Sequence, residues 1–351
     1  MELQKLIKSI KPVDKQYLTI AQNRLDMLTK PQGSLGRLEE FCKTLVGITE
    51  NPMPDISRKV IFVFAGDHGI VEEGVSAFPK EVTRQMVKNF LARGAAINCL
   101  ASHAGAEVVV VDASVGYDFG SHPGLISKKI VSGTKNMTKT AAMTYQQAMQ
   151  SLAVGIEVAS EFSKAGYNFF AAGEMGIGNT TPSSAIVSAL TGKPVAEVTG
   201  RGTGIDTQSY QKKIKVIEKA IALNQPDPND PVDVLAKVGG AEIGAIAGLV
   251  LGAALNRIPV VIDGFISSVG ALIAHRLCPN VQHYLFAAHR SVEAGHTVIL
   301  EAMGLTPILD LNMRLGEGTG AALAMIIIEG ALKTYKEMAT FDSAEVSEAV
   351  D

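Results

Sequence analysis

Only three cysteines occur in 351 residues, Cys42, Cys99 and Cys278. Odd in number, far apart and without a C-x-x-C pair, they exclude a disulfide framework and a zinc motif; buried free thiols in a reducing cytoplasm are the expectation. No block of basic residues appears, and the net charge of −3 leaves no broad electrostatic footprint for nucleic acid or an anionic membrane. The first residues, Met1-Glu2-Leu3-Gln4-Lys5, carry an early acid and no sustained apolar segment, which argues against a signal peptide. The longest uncharged stretch of apolar residues and glycine, 243–255, has the length of a buried core helix rather than a membrane span. The histidines have no recognised metal-ligand spacing, so Asp67-His68 reads as a loop anchor, and no metal is expected. A Gly-x-Ser-x-Gly elbow is also missing, which disfavours a serine hydrolase. Neither internal repeats nor low-complexity segments are found.

What remains is an ordinary globular composition, 47% hydrophobic and 19% charged, long enough to bury a core and an enclosed pocket. Short runs at 60–64, 108–111, 169–172, 260–262 and 284–287 look like buried parallel strands. Helical stretches lie near 82–103, 144–165, 181–191, 208–223, 240–256, 266–277 and 291–303. Thr144 with Gln147 makes a capping box, and Gly304 is a helix stop. The alternation predicts an α/β fold, a doubly wound and mostly parallel Rossmann-like sheet. Residues 1–50 and those from about 320 to 351 show no strand signal and are expected to pack together as a small helical subdomain beside a catalytic domain over about 51–319. The segment 224–231, rich in turn formers, reads as a connector within the domain.

Polar and glycine residues follow the strands: Gly66-Asp67-His68-Gly69, Asp112, Gly173-Glu174-Met175-Gly176, Asp263-Gly264-Phe265 and His289-Arg290-Ser291. Parallel sheets bind ligands at that edge, so these loops should line one cleft. Arg314-Leu315-Gly316-Glu317-Gly318-Thr319-Gly320 is the most informative stretch. Its glycines permit dihedrals closed to other residues, and Glu317 lies just before an apolar helical run, where the helix dipole favours a carboxylate able to accept a proton from a ligand. Gly176, Gly178, Asn179 and Thr180 follow a strand and open a helix, as a phosphate site would, although a tight turn alone would read similarly. The stretch is neither a P-loop nor a dinucleotide fingerprint, which disfavours ATP and NAD. A second glycine-rich loop, 199–206, containing Gly202 and Gly204, precedes Lys213. It reads either as a cover over a nucleotide or as a flexible loop beside a solvated lysine face. The small residues of 239–248 read as close helix packing. Asp112 lacks the second acid that a diphosphate-dependent phosphoribosyltransferase places after such a strand.

Nearly end to end, the chain resembles the nicotinate-nucleotide:dimethylbenzimidazole phosphoribosyltransferases of cobamide biosynthesis. The resemblance is carried by Lys30-Pro31-Gln32-Gly33-Ser34-Leu35-Gly36-Arg37-Leu38-Glu39, Asp67-His68-Gly69, Glu73-Gly74-Val75-Ser76, Gly173-Glu174-Met175-Gly176, Asn179-Thr180-Thr181, Lys237-Val238-Gly239-Gly240, Asp263-Gly264-Phe265 and the stretch 314–320. It implies transfer of phosphoribose from nicotinate mononucleotide to a lower-ligand base, with inversion at C1′, Glu317 as general base, and no cofactor. By the same resemblance Glu174 assists at the ribose and Lys213 matches a functional lysine. Gly176, Gly178, Asn179 and Thr180 hold the 5′-phosphate, with Gly202, Gly204 and Arg314 as weaker candidates. Phe78, Met86, Met175 and Leu315 form the base pocket, and a homodimer is expected. Adenine or a phenol remains an alternative acceptor. A noncatalytic nucleotide sensor and a diphosphate-dependent transferase are the competing readings.

Overall fold

A computed structural model describes residues 3–347. Met1, Glu2 and residues 348–351, the outermost parts of the expected helical unit, lie outside the described residues. Six strands form one sheet: β1 (Lys59–Gly66), β2 (Ala106–Ser114), β3 (Leu125–Ser127), β4 (Phe169–Met175), β5 (Val260–Ile262) and β6 (Leu285–Ala287). Their order is β3-β2-β1-β4-β5-β6 and every neighbouring pair is parallel. From β1 the chain winds outward to β3, then returns to β4 and winds the other way. The order therefore reverses between β1 and β4, and the crevice beyond their C-termini is where such sheets take ligands. All eight residues of β1 are buried, which requires helices on both faces and explains the uninterrupted apolar run from Val60 to Phe64.

Five of the strands fall on the expected runs. The edge strand β3 does not: three partly exposed residues held by pairing with Val110 to Asp112 carry no apolar run to reveal them. The helix expected over 82–103 is two, Glu81–Leu91 and Ala96–Ala104, broken where Arg93 takes φ +61° and Gly94 follows. The one expected from 291 begins later, as Ala294–Met303, which leaves His289, Ser291 and Glu293 in a loop. The Thr144 and Gln147 box closes as read, each side chain bonding the other's backbone amide at 3.1 and 2.9 Å. Gly304 ends its helix at φ +64°.

On one face, helix Tyr145–Lys164 lies against helix Ala241–Leu255 so closely that their glycines are obligatory. A Cβ on Gly155 would sit 1.9 Å from the Ala245 carbonyl oxygen, and one on Gly248 2.0 Å from that of Leu152. Elsewhere the first and last described segments of the chain meet. Arg24 donates to the carbonyls of Tyr335 and Lys336, both at 2.9 Å, and Leu28 bridges Thr340. Helix Thr319–Glu337 makes this contact and also packs on helices Arg37–Thr49 and Ala96–Ala104 and on β4 and β5, so it ties the chain ends directly to the sheet. Among the described residues no helix is long and apolar enough to cross a membrane.

Gly155→Ala should cost about 1–3 kcal/mol, because the added methyl must push two buried helices apart. The check is the melting temperature; an unchanged value would mean that the helix pair can separate freely.

Candidate active site

The loops beyond the strand C-termini enclose a cleft of ≈ 410 Å³. After β1 the chain contributes Val75, Ser76 and Phe78, then Val82 and Met86 from helix Glu81–Leu91. After β4 come Glu174, Met175 and residues 176–179, leading into helix Thr180–Thr191. Gly264, Phe265 and Ile266 arrive from β5, His289, Ser291 and Glu293 from β6, and residues 314–317 from the last loop. A larger depression, ≈ 910 Å³, lies among residues such as Phe90, Cys99, Gly105 and Glu107, where β2 begins. It stands away from the strand C-termini, and its one carboxylate, Glu107, is engaged by the Tyr167 hydroxyl. The expected site residues gather instead in the smaller cleft.

Glu317 is positioned by a buried carboxylate. Asp263, one residue past β5, accepts the Gly318 amide at 3.1 Å on one oxygen and the Ala321 amide at 2.9 Å on the other. These are first-turn donors of helix Thr319–Glu337, left without intrahelical partners. His289 Nδ1 stands 3.6 Å from the same carboxylate. Drawn this close, the last loop needs its glycines: a Cβ on Gly320 would lie 2.0 Å from His289 Nδ1, and one on Gly316 2.3 Å from Glu174 Oε1. Gly173 of β4 is bare for the same reason, since its Cβ would meet the Glu317 carbonyl oxygen at 2.3 Å. Glu317 itself takes φ +64°, a left-handed conformation uncommon for a residue with a side chain. Its Oε2 accepts the Ile97 amide at 3.4 Å, in the first turn of helix Ala96–Ala104. Burial nevertheless wins over that donor, and with the negative charge of Asp263 it holds the Glu317 carboxyl above the usual carboxylate range.

Glu174 lies behind the same turn. Asn179 Nδ2 donates to its Oε2. Desolvation, reinforced by the nearby Asp263, Glu242 and Glu317 carboxylates, outweighs that bond and pushes its pKa up to about 8. Near neutral pH the ligand-free residue is therefore mainly the uncharged acid. In the turn 176–179, the amides of Ile177 and Asn179 are occupied, by Thr83 Oγ1 at 3.0 Å and the Gly176 carbonyl at 3.1 Å. Those of Gly178 and Thr180 have no protein partner among the described residues and stand at a helix N-terminus, which suits an anion.

Twelve of the fourteen expected site residues line this cleft: Glu317, Glu174, Gly176, Gly178, Asn179, Thr180, Gly202, Arg314, Phe78, Met86, Met175 and Leu315. Phe78 and Leu315 are about half exposed, at 52% and 58%, so the apolar side of the cleft is open at its rim. Arg314 is exposed at the mouth and donates to the Gly202 carbonyl at 3.2 Å. Lys213 is not on the wall. Fully buried, it backs the wall by donating to Thr180 Oγ1 at 2.8 Å and to the Gly200 carbonyl at 3.2 Å. It is therefore no part of a solvated lysine face. Gly204 is exposed and not on the wall, and the Gly202 amide already donates to Glu293 Oε1 at 2.9 Å. Sequence reasoning missed Glu293, and it listed Asp263 and His289 without a role. An acid directly after a strand was a usable signal for Asp263; nothing local marks Glu293. Among the described residues no group of three or more His, Cys, Asp or Glu side chains could hold a metal ion. His68, paired with Glu242 at 2.6 Å, is a buried anchor beneath the floor.

A phosphoribosyltransferase family model matches residues 10–346. Among curated relatives, the nicotinate-nucleotide–dimethylbenzimidazole phosphoribosyltransferase of Geotalea uraniireducens is 60% identical over 346 residues, which is 99% of this chain and 98% of the relative. This chain belongs to that family. The enzyme of the same name from Geobacter metallireducens is 58% identical over 99% of both chains. The crystal structure of CobT from Thermus thermophilus superposes with a TM-score of 0.92 at 44% identity, covering 95% of this chain and all of that one. The chain is therefore a phosphoribosyltransferase of the nicotinate-nucleotide:dimethylbenzimidazole type, on the α/β fold described above.

Asp263→Asn puts an NH₂ group against one of the two helix amides. Hydrogen exchange at Gly318 and Ala321 should then accelerate by about tenfold or more, the equivalent of one charge-assisted hydrogen bond. Unchanged protection there would show that Asp263 does not hold the Glu317 turn.

Proposed function

We propose that this member of the family transfers phosphoribose from nicotinate mononucleotide to 5,6-dimethylbenzimidazole or a related base, with inversion at C1′ and Glu317 as general base. The observation that carries the reading is the meeting in one cleft of a buried carboxyl of raised proton affinity, an apolar wall, and a helix N-terminus with free amides. The base lies against Phe78, Met86, Met175 and Leu315, and the 5′-phosphate takes the Gly178 and Thr180 amides, with Lys213 behind Thr180 and Arg314 at the mouth. A benzimidazole nitrogen attacks C1′ while the bond from C1′ to the pyridinium nitrogen breaks, its electron pair neutralising the ring as nicotinate leaves. Glu317 accepts the proton from the other benzimidazole nitrogen. Departure of a pyridinium creates no anion, so the step calls for neither a general acid nor a metal. Glu174 faces the positive charge of donor and transition state. A cation favours the ionised form of a carboxyl, so donor binding and proton loss at Glu174 are linked. A homodimer and a cytoplasmic location belong to the same reading, and sedimentation tests the first.

The competing readings have less support. A diphosphate donor would need acids after β2, but Asp112 accepts the Val115 amide at 2.8 Å, pairs with Lys129 at 3.3 Å and is not part of the cleft wall. A sensor would have no use for Glu317. Incubating the protein with nicotinate mononucleotide and dimethylbenzimidazole, and measuring released nicotinate, decides among them. Competition with adenine and p-cresol identifies the acceptor.

Glu317→Gln should lower turnover by about 10²–10⁴ with the fold retained, as removal of one general base does. In the wild-type enzyme Glu317 works only as the carboxylate and its proton affinity is raised, so activity should fall on acidification at a pH above the usual carboxylate range. Near-normal turnover in the variant removes the base role. With Glu174 protonated near pH 7, nicotinate mononucleotide binding should release up to one proton, read by calorimetry in buffers of different ionisation enthalpy; no release would separate Glu174 from the donor's charge. EDTA should leave the rate unchanged, and loss restored by Mg²⁺ would overturn the metal-free step.

A further inference from the structure

The loop 199–205 crosses one side of the cleft and is held by hydrogen bonds to three other loops. Thr203 Oγ1 accepts the Ala77 amide at 3.0 Å, and Arg314 reaches the Gly202 carbonyl. The third tie is Glu293, from the loop after β6. It is 7% exposed; its Oε1 accepts the Gly202 amide at 2.9 Å, while its Oε2 has no hydrogen-bond partner among the described residues and lies 2.0 Å from where a Cβ on Gly200 would be. On the opposite side of the same backbone, Lys213 donates to the Gly200 carbonyl and to Thr180 Oγ1. Two buried groups of opposite charge thus hold three residues of main chain between them.

We propose that Glu293 is a positioning residue of the nucleotide subsite: its carboxylate fixes the 200–202 backbone and supplies the negative charge that keeps Lys213 an ammonium behind Thr180. The packing around Lys213 leaves Glu293 in that role. Helix Thr180–Thr191 bears no charged side chain, helix Val195–Val198 bears only exposed Glu197, and on helix Pro231–Val238 Asp233 and Lys237 pair with each other at 2.9 Å. On its own helix, Lys212, Lys215, Glu218 and Lys219 are exposed, and the nearby Arg201 donates to the Ile205 carbonyl. Burial has already brought the Lys213 pKa down to about 8, with Glu293 the charge opposing that drop. Without it the amine would lose its proton at a lower pH still and offer a phosphate less charge. The pair and the strap are statements about this chain; their use for a 5′-phosphate rests on the transferase reading.

Glu293→Gln tests the charge alone, because the amide oxygen still accepts from Gly202. In full-length protein labelled with ¹³C at lysine Cε, with the Lys213 signal assigned by its loss in K213R, the Lys213 midpoint should fall by about one pH unit or more. At pH 8 the KM for nicotinate mononucleotide should rise several-fold with little change in kcat, and at pH 6.5 it should return toward wild type. An unmoved midpoint overturns the proposal. Should E293Q fail to fold, E293D keeps the charge on a shorter arm: the midpoint should stay while the Gly202 amide exchanges faster, and unchanged exchange overturns the strap role. Failure of the wild type to release nicotinate would sink the transferase reading but leave the lysine titration and the amide exchange to be read.

Discussion

The carboxylate of Asp263 at the N-terminus of helix Thr319–Glu337 is the contact on which the cleft is built. A buried charge costs several kcal/mol in lost hydration, and a helix start that lacks partners for its first amides is costly in the same way. Joining them offsets both costs. The result is geometric: the end of β5 dictates where the helix begins, and the turn just before that helix must carry Glu317 over β4. Gly173, Gly316 and Gly320 follow from this closeness, because at each a Cβ would strike backbone, carboxylate or imidazole at 2.3 Å or less. The glycine-rich stretch that stands out in the sequence is thus the record of an approach made by an acid over fifty residues earlier.

The same closeness sets the electrostatics. Glu174, Glu242, Asp263 and Glu317 lie near enough to one another for Glu174 to feel the other three, and even at Asp263 burial outweighs His289 and the helix amides and holds the carboxyl above its ordinary range. Both cleft carboxyls therefore hold protons more tightly than usual. In the proposed reaction this is the property Glu317 needs to take a proton from a weakly acidic ring. On the same reading, charge develops at Glu174 when the cationic donor arrives. One arrangement of acids gives two residues different work, because one meets a helix N-terminus and the other only an amide side chain.

Much of this fold was legible. Strands buried on both faces write continuous apolar runs, and β1 is such a strand along its whole length. Positive φ values at residues 316–318 demand glycine or strain, which is why that loop announced itself. What stayed hidden was pairing between distant residues. Asp112 and Asp263 look alike in the sequence, each an acid at the end of a β-branched run. The first turns to Val115 and Lys129 and stays out of the cleft wall, while the second organises the site. Periodicity cannot distinguish them, since the difference lies in which element docks above each strand. The short β3 and the break at 92–95 were hidden for the related reason that one exists only through its neighbour and the other turns on a single left-handed residue.

Residues 199–205 show what sequence patterns leave undecided. The pattern reads either as a cover over a nucleotide, with Gly202 and Gly204 as weaker phosphate candidates, or as a flexible loop, yet the glycines at 200, 202 and 204 each answer a different demand. Gly200 makes room for the Glu293 carboxylate, Gly202 takes φ +52° beside Thr180, and Gly204, at φ +94°, turns the exposed chain where an added Cβ would meet no atom of the described residues within 4 Å. The amide that the pattern would assign to an anion already bonds an anion of the protein's own. A strap whose donor is occupied, and whose far side rests on a buried lysine, is held by the balance of those two charges. Its stiffness is therefore tied to the ionisation of Lys213, and on the proposed reading an incoming phosphate meets a preformed wall whose charge depends on a carboxylate from the loop after β6.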